Sequence, residues 1–312
     1  MDVRHLDLLR EFAVRGSVTA VARATHRSPS AVSQQLRTAQ RELGVELVRP
    51  HGRGLRLTEA GELLARGGED VAAAIARVRS HLEALLETPA GTVDVLAFPS
   101  AATILFPGLA RRLDGTGVEL VLHDEDAAEH RFAELTADHD VVVGHSLTGP
   151  VPAGGARCTV VGLGAEPLEV AMARDHPLAS RHHLAASDLV GRSWIGVPEG
   201  FPFDRALQAI SVATGTPVRI AQRVRDNRLV EALVADGEQL AILPRFSTPA
   251  DVGVVLRPVE GVPTLRHLSA MMRPDAAQRS AVREVVRALR AIATQAGLAQ
   301  EPEGEDQDTS PA

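Results

Sequence analysis

The 312-residue sequence predicts an α/β multidomain chain: a small helical head at the amino end, one long linker helix, and two α/β subdomains. Three observations carry this. Two short helix signals joined by a tight polar turn fill residues 17–44. Heptad-spaced apolar residues run through 58–87, and from residue 92 onward strand-like and helix-like segments alternate. The chain is too long for one compact core, and its 45% hydrophobic content is ordinary for a globular protein.

In the head, Val3, Leu6, Leu8, Leu9, Phe12 and Ala13 form the apolar face of a first helix. Ser17 caps a second, its hydroxyl accepting an amide hydrogen bond at the helix start, and Val18, Val21 and Ala22 follow at helical spacing. Thr25-His26-Arg27 breaks the pattern. Ser28 then caps a third helix with Pro29 at its first position, where the missing amide costs nothing. Ala31, Val32, Leu36 and Leu43 are its expected buried face, and Gly44 stops it.

Ser28, Ser30, Ser33, Gln34 and Arg37 crowd the exposed early turns of this third helix. Gln and Arg make bidentate bonds to base edges, serines reach bases or phosphates, and small Ala31 permits close approach to double-stranded DNA. After it, Glu46 to Thr58 reads as a basic hairpin with Gly52 and Gly54, a wing whose Arg53 and Arg56 lie along phosphates. Head and hairpin together predict an N-terminal winged helix-turn-helix over residues 1–58.

With Ser28 to Ser33, Leu43-Gly44, Arg53 with Arg56, and Leu57-Thr58-x-Ala60-Gly61 in this order, the chain resembles a LysR-type transcriptional regulator. Further matching phrases are Asp175-His176-Pro177-Leu178-Ala179, Trp194-Ile195, and Leu229 to Gly237 leading to Ala241-Ile242-Leu243-Pro244. The resemblance implies a sequence-specific DNA-binding transcription regulator that answers to a small-molecule effector. It also implies two Rossmann-like subdomains of the periplasmic-binding-protein type, and assembly as a dimer or tetramer. RNA polymerase is a further expected partner if the regulator activates. No cofactor and no metal are expected.

Net charge is −7, which is uninformative until it is divided. Residues 1–66 hold 11 Arg against 7 acidic residues, a net +4, and the remainder is −11. One end is suited to a polyanion and the rest to staying off it. Cys158 is the single cysteine, so this chain forms no internal disulfide, and its apolar surroundings predict inert packing. No apolar run reaches membrane-spanning length and no signal-peptide core opens the sequence, so no membrane partner and a cytoplasmic location are expected.

The linker/dimerisation helix is expected over 59–88. Leu64, Val71, Val78 and Leu85 recur every seven residues, with Ile75 and Leu82 between them. A stripe that long is better buried against a second copy than exposed. Gly67-Gly68 predicts a bend or a thin contact there, and Thr88-Pro89-Ala90-Gly91 a hinge.

The alternation that follows predicts parallel βαβ units, with subdomain I over 92–163 and 264–297 and subdomain II over 164–263. Within these, 103–113 and 128–137 read as helices, Cys158–Leu163 and Leu168–Ala173 as separate strands, and 276–296 as the closing helix. Residues 298–312 read as an acidic disordered tail. Ligands of open α/β sheets sit beyond the carboxyl ends of strands. The effector site is therefore expected at Ser100, Ala101, Ala102 and Thr103, at Ser146, at Gly200, Phe201 and Phe203, and at Asp226 and Asn227. Ser100 and Thr103 sit where a helix begins and suit an anion.

Two other readings are weaker. Gly144-His145-Ser146-Leu147-Thr148-Gly149 approaches a hydrolase nucleophile elbow, the mark of an α/β hydrolase-like enzyme with an accessory head. The elbow requires a helix directly after the serine, and Pro150-Val-Pro152 forbids one. His123-Asp124-Glu125-Asp126 with Glu129-His130 evokes a metal cluster, but acids at a helix start are explained by the helix dipole.

Overall fold

The computed structural model describes residues 2–52, 54–85, 90–199, 201–262 and 264–298. Arg53, Gly200, the expected hinge at Thr88-Pro89 and the tail beyond Leu298 lie outside the described residues.

The head holds α1 (Val3–Arg15), α2 (Val18–Ala24), α3 (Pro29–Leu43) and a hairpin of β1 (Val48–His51) and β2 (Gly54–Leu57). The caps fall where the sequence places them. Ser17 Oγ accepts from Ala20 N and Ser28 Oγ from Ala31 N, each at 3.2 Å, and Gly44 ends α3 in the left-handed region. His26, at φ 52°, makes the tight turn between α2 and α3. Phe12, Leu9, Val21, Val32, Leu36 and Ala39 are buried together with Leu47. Ala31 is exposed; Ala39 takes the buried place expected for Ala31.

The Leu-Thr-x-Ala-Gly phrase works as a joint. Thr58 Oγ1 donates to Glu46 O at 2.7 Å and accepts from Gly61 N at 3.1 Å, while Thr58 N donates to Leu47 O at 2.9 Å. A Cβ on Gly61 would lie 2.1 Å from Leu47 O, so only glycine lets the wing's base cross the helix there. Gln40 Oε1 accepts from both Leu47 N (2.9 Å) and Val48 N (3.1 Å), tying α3 to the same strand.

Helix α4 (Glu59–Leu85) runs unbroken through Gly67-Gly68. Instead of a thin contact, Gly68 makes a close one: its Cβ would sit 2.7 Å from Leu6 O, where α1 lies across α4. Leu64 packs into the head core and Val71 is half-buried toward α1, so these two drop out of the expected seam. Ile75, Val78, Leu82 and Leu85 remain exposed, at 40%, 68%, 58% and 80%. The opposite face of α4 rests on the body, with Ser80 accepting from Arg283 at 2.6 Å and Ser280 donating to Glu83.

The body follows with β3 (Gly91–Ala97), α5 (Pro99–Leu113), β4 (Val118–Asp124), α6 (Phe132–Leu135), β5 (Val141–Ser146) and β6 (Thr159–Ala173). Next come β7 (Ser193–Gly196), α7 (Pro202–Thr214), β8 (Arg219–Arg223), α8 (Asn227–Ala235), β9 (Leu240–Pro244), β10 (Val254–Arg257), β11 (Leu265–Met272) and α9 (Ser280–Gln295). Among the described residues the strands run β4-β3-β5-β11-β6-β9-β7-β8, with β10 along β6. Strands β4, β3 and β5 are mutually parallel, as are β8, β7 and β9; β11 and β6 cross between the two groups antiparallel to each other. One apolar core lies around β3, β5, α5 and α9, and others around β6, β9, α7 and α8.

Five expectations change. The two strands expected over 158–173 are one 15-residue strand, β6. Helix α5 starts at Pro99 rather than Thr103, by the same proline-first signal as α3. The helix expected over 128–137 is a 3-10 turn at Glu129–Arg131 plus the short α6, closed when Thr136 Oγ1 donates to Ala133 O at 2.7 Å. The closing helix starts at Ser280, after a separate turn at Ala276–Gln278, and Leu298 is buried in the core rather than in a tail.

Head and body meet through α1. Arg10 reaches Asp275 (2.6 Å) and Asp7 (2.7 Å); Glu11 takes Arg273 and Arg15, each at 2.9 Å; Arg15 also reaches Asp138 and Ala137 O, each at 2.9 Å. Burial pushes Glu11 and Asp275 upward, but the surrounding arginines overcome it and hold both carboxyls below their ordinary values. Their contribution to the seam is therefore complete above the ordinary carboxyl values and is lost as pH falls from there through the lowered ones.

Candidate DNA interface and effector cleft

The polar edge of α3 faces solvent. Ser28, Ser30, Ala31, Gln34 and Arg37 are exposed and Ser33 is half-exposed, so the structure brings all six onto one edge. Ser28 and Ser30 share a hydrogen bond at 2.9 Å, which leaves Gln34 and Arg37 as the long side chains projecting from the helix.

The wing adds a residue the sequence reading left out of its set. The β1–β2 register places Arg49 directly opposite Arg56, with both exposed, beside Pro50 opposite Leu55. Like charges directly opposite on antiparallel strands oppose folding. Such a pair is sensible where a polyanion neutralises it. Counting outward along the sequence from Gly52 and Gly54 would have revealed it.

The effector cleft opens at the carboxyl ends of β3 and β7 and encloses about 260 Å³. The structure brings Ser100, Thr103, Phe201, Phe203, Asp226 and Asn227 to its walls. Three expected members do not belong. Ala101, on the inner face of α5, is fully buried in the core, and Ala102 packs against that core. Ser146 is buried too, its hydroxyl accepting Thr148 N at 3.1 Å. Successive residues of a strand point to opposite faces, and the one facing the cleft is His145. Strand β5 is followed by bends rather than a helix, so the nucleophile elbow is absent.

His145 stands edge-on between Phe98 and Phe132, with ring centroids 4.9 and 4.8 Å away. Burial, helped by the Arg266 charge, holds its pKa well below the ordinary value, so the imidazole is neutral.

Arg266 is the floor of the cleft, and the sequence reading missed it. It sits on β11 directly opposite Glu166 on β6, and the two form a fully buried ion pair. Arg266 also donates to Ser100 Oγ at 3.2 Å, and its guanidinium lies 4.9 Å from the Phe98 ring centroid and 5.5 Å from that of Phe203. Its Nε has no hydrogen-bond partner among the described residues. Glu166 in turn accepts from Phe246 N (2.9 Å) and Ser247 N (3.1 Å). At the rim, Arg225 lies 5.2 Å over the Phe201 ring and 3.6 Å from Asp126. Burial pushes that Asp126 carboxyl up against the pull of Arg225 and Arg266. On α8, Asp226 caps Leu229 N at 3.0 Å and Arg228 pairs with Glu231 at 3.2 Å; burial pushes the Glu231 carboxyl up.

A winged helix-turn-helix joined by a long helix to a two-lobed body with a cleft defines a class: a DNA-binding regulator with a ligand-responsive body. Residues 3–62 match the bacterial regulatory helix-turn-helix model of the lysR family, and residues 86–293 match the LysR substrate binding domain. The chain belongs to the LysR family of transcription regulators. The family consists of regulators and not enzymes.

Relatives span nearly the whole length. The DNA-binding transcriptional dual regulator OxyR of Escherichia coli K12 is 25% identical over 93% of this chain and 95% of its own. The dual regulator GltC of Bacillus subtilis is 26% identical over 88% and 91%. Among solved structures, a full-length OxyR variant from Pseudomonas aeruginosa superposes with a TM-score of 0.67 at 20% identity, covering 97% of this chain and 99% of its own. Full-length CbnR in complex with its target DNA gives 0.51 at 21% identity, covering 94% and 100%. Among the described residues, no helix is long and apolar enough to cross a membrane.

Proposed function

We propose that this regulator reads DNA with Ser28, Ser30, Ser33, Gln34 and Arg37, with Ala31 allowing close approach, and holds the phosphates with Arg49, Arg53 and Arg56. The observation that carries this is the cross-strand pair of exposed arginines beside the polar edge of α3. In the chain's organisation, residues 1–58 form the head, 59–88 the linker, and the remainder the body. Ile75, Val78, Leu82 and Leu85 pair α4 with a second copy, burying an apolar stripe the single chain leaves to water. Paired heads then meet half-sites about 34–36 Å apart or multiples of it. If the protein activates, RNA polymerase is its further partner.

The effector is a small molecule with an anionic head toward Ser100 and Arg266 and an apolar body against Phe201 and Phe203. It shifts the heads only by its difference in affinity between their arrangements. A peroxide response like that of the hydrogen peroxide-inducible genes activator of Pectobacterium carotovorum, a relative, is disfavoured. Reactive thiols are exposed and acidic. Cys158 is half-buried, and burial pushes its pKa up.

The test separates reading from holding. Arg37→Ala should cost about 1–3 kcal/mol on the preferred duplex and relax one base position. Arg56→Ala should weaken all sequences alike and flatten the salt slope by about one. Identical behaviour of the two variants on specific and random duplexes would remove the division of roles.

A further inference from the structure

The order β4-β3-β5 puts Asp94 on the central strand of a parallel triplet, with a histidine from each side turned to it. His123, on β4, lies two residues beyond Val121, the register partner of Asp94, and so is its diagonal neighbour. His139 stands two residues before β5, whose first residue pairs with Val95. His139 Nδ1 lies 2.5 Å from Asp94 Oδ1 and His123 Nε2 lies 3.0 Å from Asp94 Oδ2. One nitrogen from each ring and a carboxylate oxygen all fall within 4.8 Å of one another.

We propose that Asp94, His123 and His139 form a binding site for a divalent first-row cation of the zinc class. Two imidazoles and one carboxylate are the donor set such ions favour. Bonds of 2.0–2.2 Å in a tetrahedral site place neighbouring donors about 3.3 Å apart. The donor atoms here stand 2.5 Å apart at the closest and all within 4.8 Å of one another, so side-chain rotations that move them by up to about 1.5 Å complete the set. The backbone that carries this carboxylate is braced from behind. Asp94 N donates to Asp140 Oδ2 at 3.1 Å, and Asp140 Oδ1 takes Arg279 at 2.6 Å. These bonds fix the strand from which the carboxylate projects.

The site is reachable. Asp94 and His139 border the groove between α1, α4 and the body, and the His123 side chain is 42% exposed. Three protein donors leave a fourth position for water. The neighbouring acids that seemed the better candidates in the sequence are used elsewhere: Glu125 pairs with Arg131 at 3.5 Å and Asp126 with Arg225. His123 belongs instead with two residues 29 positions before it and 16 after it, a grouping that only the strand order creates.

The experiment uses the full chain, free of any affinity tag and stripped with a chelator. Zn²⁺ binding is followed by calorimetry and Co²⁺ by its visible absorption. The expected result is one equivalent of each per chain, with Zn²⁺ displacing the Co²⁺ bands. His123→Ala and Asp94→Asn should each weaken binding at least tenfold. His130→Ala, an exposed histidine on the adjoining turn, should leave it unchanged. Circular dichroism establishes folding, and exposed His123 decides the matter if Asp94→Asn fails to fold. Absence of uptake by the unaltered chain, or unweakened binding in His123→Ala, would overturn the site and leave a hydrogen-bonded trio.

Discussion

Arg266→Ala is expected to destabilise the body by about 3–5 kcal/mol, the usual consequence of removing one partner from a buried ion pair. Glu166 is fully buried, and its remaining partners, the amides of Phe246 and Ser247, do not neutralise its charge. The pair also joins β6 to β11, the two strands that cross between the lobes, so its loss acts on both cores at once. Urea unfolding of the full chain measures the effect. The companion double variant, Arg266→Met with Glu166→Gln, should recover most of it, since replacing a buried pair with neutral groups of similar volume is often tolerated. A single variant within about 1 kcal/mol of the parent would show that the pair does not hold the crossover.

The second large effect lies in the head. Gly61→Ala places a methyl group 2.1 Å from Leu47 O, a backbone atom fixed from both sides by the Thr58 and Gln40 hydrogen bonds around it. Overpacking commonly costs 1–3 kcal/mol, and a clash with backbone belongs at or above about 3 kcal/mol. Gly67→Ala is the internal control. Nothing lies within 4 Å of its Cβ, so it should stabilise α4 by up to about 1 kcal/mol. Thermal unfolding of the two variants should therefore move in opposite directions. Equal shifts would mean that helix propensity alone decides, and that the joint between wing and α4 is loose.

The head was legible because its signals are local. Ser17, Ser28 with Pro29, and Gly44 each act on the next three or four residues, and each cap sits where expected. The body was legible only in outline. Gly164, Glu166 and Pro167 look like a loop between two strands, yet β6 continues through them, with one register shift at Leu163, and Glu166 meets Arg266 across the sheet. A charge buried in mid-strand has no local signature. The cleft suffered a parity error of one residue: strand alternation turns His145 toward it and Ser146 away, and the sequence marks neither direction. The linker showed the converse problem. Heptad spacing is the same for an apolar residue that meets its own head, as Leu64 does, and for one left exposed, as Val78 is.

The central claim is that the polar edge of α3 and the basic wing together grip a particular duplex. Its most direct test is equilibrium binding of the purified chain, across a salt series, to a duplex enriched from its host genome and to a scrambled duplex of equal length. The account predicts that affinity for both falls as salt rises, since arginines release counterions from phosphates. It also predicts that the enriched duplex is held about 10³-fold or more tightly than the scrambled one. Binding that ignores salt, or equal affinity for the two duplexes, would contradict it.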